Sequence, residues 1–85
     1  MNYYLMKKDG KEYRFDTKAA VYEMWDCLGR GDVIVEHHHF DRDASGIMKE
    51  YIDTSHTIKR RKLKSGEIRY YLHFDGKCIV KEVME

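Results

Sequence analysis

The densest group of reactive side chains is a run of cations near residue 60. Five of the six positions from Lys59 to Lys64 are lysine or arginine. Alternate side chains of a β-strand point to the same side of a sheet. The pattern therefore predicts one face that carries Arg60, Lys62, Arg69, Tyr71 and His73. Cations of this kind can hold the phosphates of a nucleic acid, and an aromatic ring beside them can stack on a base. The same residues also fit an edge hairpin that its charges keep soluble.

A second group is the triplet His37-His38-His39. On a strand, His37 and His39 share a face, and two imidazoles at this spacing can grip zinc or another transition metal if a third ligand arrives. The candidate third ligands are Asp41, His56 and His73. A polar strand end with histidines packed as half-buried aromatic rings also explains the triplet.

The segment from Asp41 to Ile47 resembles the first half of an EF-hand calcium loop. Oxygen-bearing side chains stand at its first, third and fifth positions and a glycine at its sixth. The twelfth position is Ile52, where the loop requires a glutamate. A turn rich in Asp, Ser and Gly accounts for the same residues. Asp41 and Asp43 thus join His37 and His39 as candidate metal ligands.

Three dipeptides ending in glycine predict the turns between strands: Asp9-Gly10, Ser65-Gly66 and Asp75-Gly76. With two-residue loops, Lys7 opposes Glu12, and Arg61 opposes Tyr70. The last turn separates a strand at 68–74 from one at 77–84. A further turn, rich in Ser and Thr, is predicted at Asp53 to Ser55. In residues 68–74 the even positions are predicted to face the core and the odd positions water.

One helix is predicted between the first hairpin and the remaining strands. Asp16 or Thr17 caps its start and Gly29 ends it. Its apolar stripe consists of Ala20, Val21, Met24, Trp25 and Leu28. The predicted order is β-β-α-β-(β)-β-β-β, which is an α+β fold with an antiparallel sheet and the single helix packed on one face.

The composition limits the classes of protein to consider. With 85 residues, 42% of them hydrophobic, the chain has room for a single compact domain over residues 1–85 and none for a multi-domain enzyme. The first ten residues lack the apolar stretch of a signal peptide, and no window is apolar enough to span a membrane. We expect a cytoplasmic protein with no membrane partner and no cofactor. Cys27 and Cys78 are predicted to be reduced, buried thiols.

The charge is uneven along the chain and directs the functional prediction. Residues 1–56 hold eight basic and eleven acidic side chains, whereas residues 57–85 hold eight and four. The leading prediction is a small non-enzymatic binding module or inhibitor whose basic hairpin face binds an anionic partner, either nucleic acid or an acidic or nucleic-acid-handling protein. One alternative is a protein-binding inhibitor or adaptor of the kind that viruses and mobile elements encode, acting through the acidic, His-rich segment 32–53. Another is a minimal ribonuclease with His73 as general base. The oligomeric state is left open.

Overall fold

The computed structural model describes residues 2–83, which form one helix and five strands. In chain order the elements are β1 (Tyr3–Lys8), β2 (Lys11–Phe15), α1 (Lys18–Cys27), β3 (Ile34–Arg42), β4 (Met48–Lys62) and β5 (Ile68–Glu82). The strands make one antiparallel sheet in the order β2-β1-β3-β4-β5. The predicted α+β fold with a single helix on an antiparallel sheet is confirmed.

The first hairpin forms as predicted. Asp9 and Gly10 have φ angles of 52° and 76°, which is the pair of positive values that a type I′ turn requires. Lys7 pairs with Glu12, and Tyr4, Tyr13 and Phe15 turn toward the core, whereas Tyr3 stacks on His38 on the opposite side of the sheet.

Helix α1 begins at a threonine cap and lies across one face of the sheet. The Ala20 amide donates to the Thr17 hydroxyl at 3.2 Å, so the cap satisfies one of the free amides at the helix start. Val21 and Trp25 are buried, but Leu28, the last residue of the predicted stripe, is 37% exposed. The Trp25 indole donates to the Gly31 carbonyl at 3.0 Å, which ties the helix to the segment that leads into β3.

The core lies between α1 and the sheet face that it covers, called here the helix face. The opposite side of the sheet is called the outer face. The buried apolar side chains of the core are Tyr4, Met6, Val21, Trp25, Val33, Val35 and Ile58. Tyr70 and Leu72 pack against this cluster from β5, so the predicted inward orientation of the even positions is confirmed for these two residues.

The predicted turn at Asp75-Gly76 is wrong, because β5 runs through it without reversing. Phe74 pairs with Ser55 and Cys78 pairs with Asp53, so β5 has two more residues in this stretch than β4. Gly76 has a φ of 82°, and a left-handed glycine serves a β-bulge as well as a turn. The Ser/Thr turn expected at residues 53–55 is likewise part of continuous β4. Residue 84, the predicted strand end, lies outside the described residues.

The turn at Ser65-Gly66 exists but is longer than predicted. The Gly66 amide donates to the Leu63 carbonyl at 2.9 Å, and the Leu63 amide donates to the Glu67 carbonyl at 2.8 Å. This is a three-residue loop with a left-handed glycine. Arg61 consequently pairs with Arg69 and not with Tyr70. A shift of one residue in register moves side chains to the other face of the sheet. The predicted register of the β4–β5 hairpin is therefore wrong, and with it the predicted composition of the basic face.

Part of the last hairpin extends beyond the rest of the sheet. β3 pairs with β4 only from Met48 to Ser55, whereas β4 and β5 stay paired to Lys62 and Ile68. We call residues 58–72 the ribbon. The base of the ribbon is held against the helix, since the Tyr70 ring meets Trp25 edge-on at 5.8 Å and the Leu72 amide donates to the Tyr22 hydroxyl at 3.2 Å.

Candidate functional site

The ribbon concentrates positive charge at one end of the molecule. It carries six basic side chains against one acidic side chain, Glu67. The six are Lys59, Arg60, Arg61, Lys62, Lys64 and Arg69. All six are exposed, and none forms a salt bridge or side-chain hydrogen bond within residues 2–83. The remainder of the chain holds ten basic and fourteen acidic residues.

The five residues predicted to share one basic face do not all share it. Arg69, Tyr71 and His73 alternate along β5 on the outer face and are exposed. Arg60 pairs with Tyr70, and Lys62 with Ile68, which places both on the helix-face side of the ribbon. Lys59 and Arg61 pair with Tyr71 and Arg69 instead. The longer Ser65-Gly66 loop therefore distributes the cations over both sides of the ribbon.

The histidine triplet divides between the two faces as strand geometry requires. His37 and His39 lie on the helix face, and Asp53 of β4 pairs directly with His37. The ligand atoms of these three side chains lie within 4.8 Å of one another. His39 Nε2 donates to Asp53 Oδ2 at 2.7 Å, and the His37 and His39 rings stack at 4.7 Å. The structure thus brings together the two predicted histidines and a third candidate ligand, Asp53, that was not predicted.

Burial and mutual contact shift the pKa values of His37 and Asp53. Burial lowers the pKa of His37, and the neighbouring His39 lowers it further. Burial alone would raise the pKa of Asp53, but hydrogen bonds from His39 and Cys78 outweigh burial and lower it. Both cysteines are free and exposed, so their predicted burial is wrong. Burial of its thiol and the contact with Asp53 nevertheless raise the pKa of Cys78.

The other candidate metal ligands do not join the cluster. Asp43 Oδ1 instead accepts from the Ser45 amide, the Ser45 hydroxyl and the Ile47 amide. Asp43 Oδ2 pairs with Lys49 at 3.1 Å. These contacts close a three-residue hairpin loop of the same form as the one at Gly66, so the EF-hand-like residues build a turn. Asp41 is exposed and accepts from the Arg42 amide. His56 lies near Asp75, and His73 is on the outer face.

His38 forms a separate polar cluster on the outer face. Its Nδ1 is 2.6 Å from Glu50 Oε1 and its Nε2 is 2.9 Å from Glu36 Oε1. The His38 ring therefore bridges the two glutamates. Burial alone would raise the pKa of Glu36, but hydrogen bonds from His38 and Lys7 outweigh burial and lower it. Four carboxylates of the segment 32–53 are therefore paired inside the chain, namely Glu36, Asp43, Glu50 and Asp53.

Sequence reasoning missed three contributors to these sites, Lys59, Arg61 and Asp53. Arg61 was predicted to oppose Tyr70 because of a two-residue loop, and Lys59 was not included in the predicted basic face. Asp53 was assigned to a turn because it begins an Asp-Thr-Ser stretch. The sequence does contain a signal for the three-residue loops. Ser-Gly occurs at both 45–46 and 65–66, and glycine suits the left-handed last position of a three-residue hairpin loop.

Comparison with known proteins assigns no family to this chain. No protein-family model, no curated protein and no solved structure matches it. Among residues 2–83, no helix has the length and apolar character needed to cross a bilayer.

Proposed function

We propose that the protein binds double-stranded DNA by placing its ribbon in the major groove. The observation that carries the proposal is the set of six cations in the ribbon that have no partner within residues 2–83. Unneutralised lysine and arginine side chains gain free energy by displacing the counterions condensed on a phosphate backbone. The protein acts as a binding module with no catalytic step.

The distribution of the cations favours a duplex over a single strand. Arg60 and Lys62 project on one side of the ribbon, whereas Lys59, Arg61 and Arg69 project on the other. A major groove is about 12 Å wide, admits a two-stranded β-ribbon and is bordered by a phosphate chain on each side. A single strand laid along one face would neutralise only half of these cations. The two-sided arrangement therefore matches the two backbones of a groove.

Tyr71 and His73 give the outer face of the ribbon groups for contacts other than charge. The Tyr71 side chain is 42% exposed, and both residues lie on the same side as Arg69. A hydroxyl and an imidazole can donate to or accept from base edges or phosphates. We expect these two residues to position the ribbon and the arginines to supply most of the affinity.

The attachment of the ribbon to the helix supports binding by a preformed surface. Tyr70 packs on Trp25 and on Tyr22, with ring centroids 5.8 Å apart in both pairs. A surface that is already ordered loses less conformational entropy when it binds. The ribbon that displays the cations is thus anchored at its base.

The test measures affinity for a fluorescent DNA duplex by anisotropy over a series of salt concentrations. The variants are Arg61→Ala with Arg69→Ala, and the matched control is Lys11→Ala with Lys81→Ala, which removes the same charge outside the ribbon. Affinity for the duplex should fall steeply with salt, and the ribbon variant should reduce the log–log slope by about 0.9 for each lost phosphate contact. Salt-independent binding, or an equal loss in both variants, would overturn the proposal.

Two further arms separate the alternatives. Tighter binding to a single-stranded oligonucleotide or to polyglutamate than to the duplex would contradict groove binding. Neutralisation of the exposed carboxylates Asp32 and Asp41 to asparagine should leave duplex binding intact, and loss of binding there would point to the segment 32–53. Cleavage of RNA that disappears in His73→Gln would instead support the ribonuclease alternative.

A further inference from the structure

Two imidazoles and a carboxylate converge on the helix face at a distance from the ribbon. We propose that His37, His39 and Asp53 bind one zinc ion and leave its fourth coordination position open. Zinc takes imidazole nitrogen and carboxylate oxygen as ligands, and sites with three protein ligands keep a position for water or another molecule. The cluster lies in β3 and in the sheet-bound part of β4, so the proposal does not depend on DNA binding.

The separation of the ligand atoms suits a tetrahedral ion. Zinc bonds to nitrogen and oxygen are about 2.0 to 2.2 Å long, which places neighbouring ligand atoms roughly 3.4 Å apart. The three side chains present ligand atoms within 4.8 Å of one another. His39 Nε2 and Asp53 Oδ2 are 2.7 Å apart, so these two atoms need to move apart by about 0.7 Å to bind one zinc ion. Small side-chain rotations would complete the site without movement of the backbone.

Zinc would replace the hydrogen bond between His39 and Asp53. The His39 ring changes to the tautomer with its proton on Nδ1, and Nε2 then becomes a metal ligand. The Asp53 carboxylate exchanges a hydrogen-bond donor for the cation. Cys78, which pairs with Asp53 across the β4–β5 ladder, stays beside the carboxylate as a neighbour of the ligand.

Aromatic neighbours hold both imidazoles in place before any ion arrives. The His37 ring stacks on buried Tyr4 at 4.4 Å with an interplanar angle of 10°. The His39 ring stacks on Tyr51 at 5.5 Å. The Phe74 ring packs against His37 with the ring centroids 6.3 Å apart. Ligands already oriented by their surroundings lose little freedom on binding, and an apolar surround restricts water. The cluster is therefore more ordered than chance surface histidines would be.

The first experiment titrates the full chain with zinc by calorimetry and with cobalt(II) by visible absorption, after removal of any metal carried through purification. We expect one equivalent of zinc and the intense visible bands of tetrahedral cobalt. The double variant His37→Ala with His39→Ala should weaken zinc binding by more than about 100-fold. Absence of zinc binding by the wild-type chain would overturn the proposal.

The matched control is His56→Gln, which removes an exposed imidazole outside the cluster. Its zinc affinity should equal that of the wild type. Cys78→Ser should also bind zinc, because the thiol is not one of the three ligands. Undiminished binding in the double histidine variant, or loss of binding in either control, would contradict the ligand set.

A measurement on the wild-type chain keeps the test decisive if the double variant fails to fold. Nitrogen-15 spectra of the histidine rings should show zinc-dependent shifts at His37 and His39 and none at His56 or His73. Zinc should also raise the melting temperature, because an ion that binds only the folded state stabilises it. Shifts at His56 or His73 in place of the paired histidines would refute the site.

Discussion

Arg61 and Arg69 stand directly opposite each other in the β4–β5 ladder, with their side chains on the same outer face. Like charges at directly paired positions destabilise a sheet. Neither arginine has an acidic partner within residues 2–83. The free protein therefore retains a local repulsion that a bound phosphate would relieve.

This pair predicts opposite effects on stability and on binding. Arg69→Glu should raise the free energy of unfolding by about 0.5 to 1 kcal/mol, because an attractive cross-strand pair replaces a repulsive one. The same substitution should weaken duplex binding at least tenfold. Urea unfolding and anisotropy measure the two effects. Lys11→Glu makes the same change of charge opposite Lys8 and should leave DNA affinity nearly unaltered. A loss of stability in Arg69→Glu would show that the repulsion is absent.

The link between Ser55 and the ribbon predicts a second effect. The fully buried Ser55 hydroxyl donates to the Thr57 carbonyl at 2.7 Å and accepts from the His73 amide at 3.0 Å. Ser55→Ala should cost about 1 to 3 kcal/mol, because it leaves two backbone groups unpaired where the strands shift register. Ser65→Ala in the exposed loop should change stability by less than about 0.5 kcal/mol. Equal urea midpoints for the two variants would show that the hydroxyl is dispensable.

His38 predicts a larger loss from a single ring. It is 6% exposed and bridges Glu36 and Glu50. His38→Ala should reduce the free energy of unfolding by about 2 to 4 kcal/mol, since two half-buried carboxylates would then face each other without their shared donor. The comparison variant is His56→Ala, for which little change is expected. Chemical denaturation measures both, and a loss below about 1 kcal/mol for His38→Ala would argue against the bridge.

Asp43 predicts a pH-dependent contribution to stability. Hydrogen bonds from the Ser45 side chain and the Ile47 amide, together with Lys49, lower the pKa of Asp43 far below its usual range. A group with a depressed pKa stabilises the fold above its unfolded pKa, and the contribution disappears as the pH falls toward the folded value. Asp43→Asn should thus melt below the wild type at neutral pH, and the gap should close as the pH drops below about 4. A gap in melting temperature that stays constant with pH would exclude this origin.

The sequence predicts the parts of this fold that depend on local chemistry. The Asp9-Gly10 hairpin, the Thr17 cap and the buried faces of Val21 and Trp25 follow from dihedral preference and helical spacing. Tyr70 and Leu72 also point inward as alternation requires. These features need no knowledge of distant residues.

The predictions that were wrong concern features that depend on the pairing register of two strands. Gly76 has the same left-handed backbone whether it ends a strand or sits in a bulge, and only the pairing of its neighbours, Phe74 with Ser55 and Cys78 with Asp53, distinguishes the two. Gly66 likewise permits a loop of two residues or of three. Asp53 becomes a neighbour of His37 only because of the register of β3 and β4. Strand alternation alone predicts that His37 and His39 share a face. The contribution of Asp53 to the cluster could not be predicted, because it depends on this register.

The alternation of side chains in the ribbon also restricts how its length can change. Adding one residue to each strand beyond Lys62 and before Ile68 would keep every existing pair and carry the loop farther out. Adding a residue to one strand alone would exchange Lys59 and Arg61 with Arg60 and Lys62 relative to Arg69. Insertions and deletions in this hairpin should therefore be tolerated when they are made in both strands at once. The length of the ribbon can then be changed without changing the rest of the sheet or the helix.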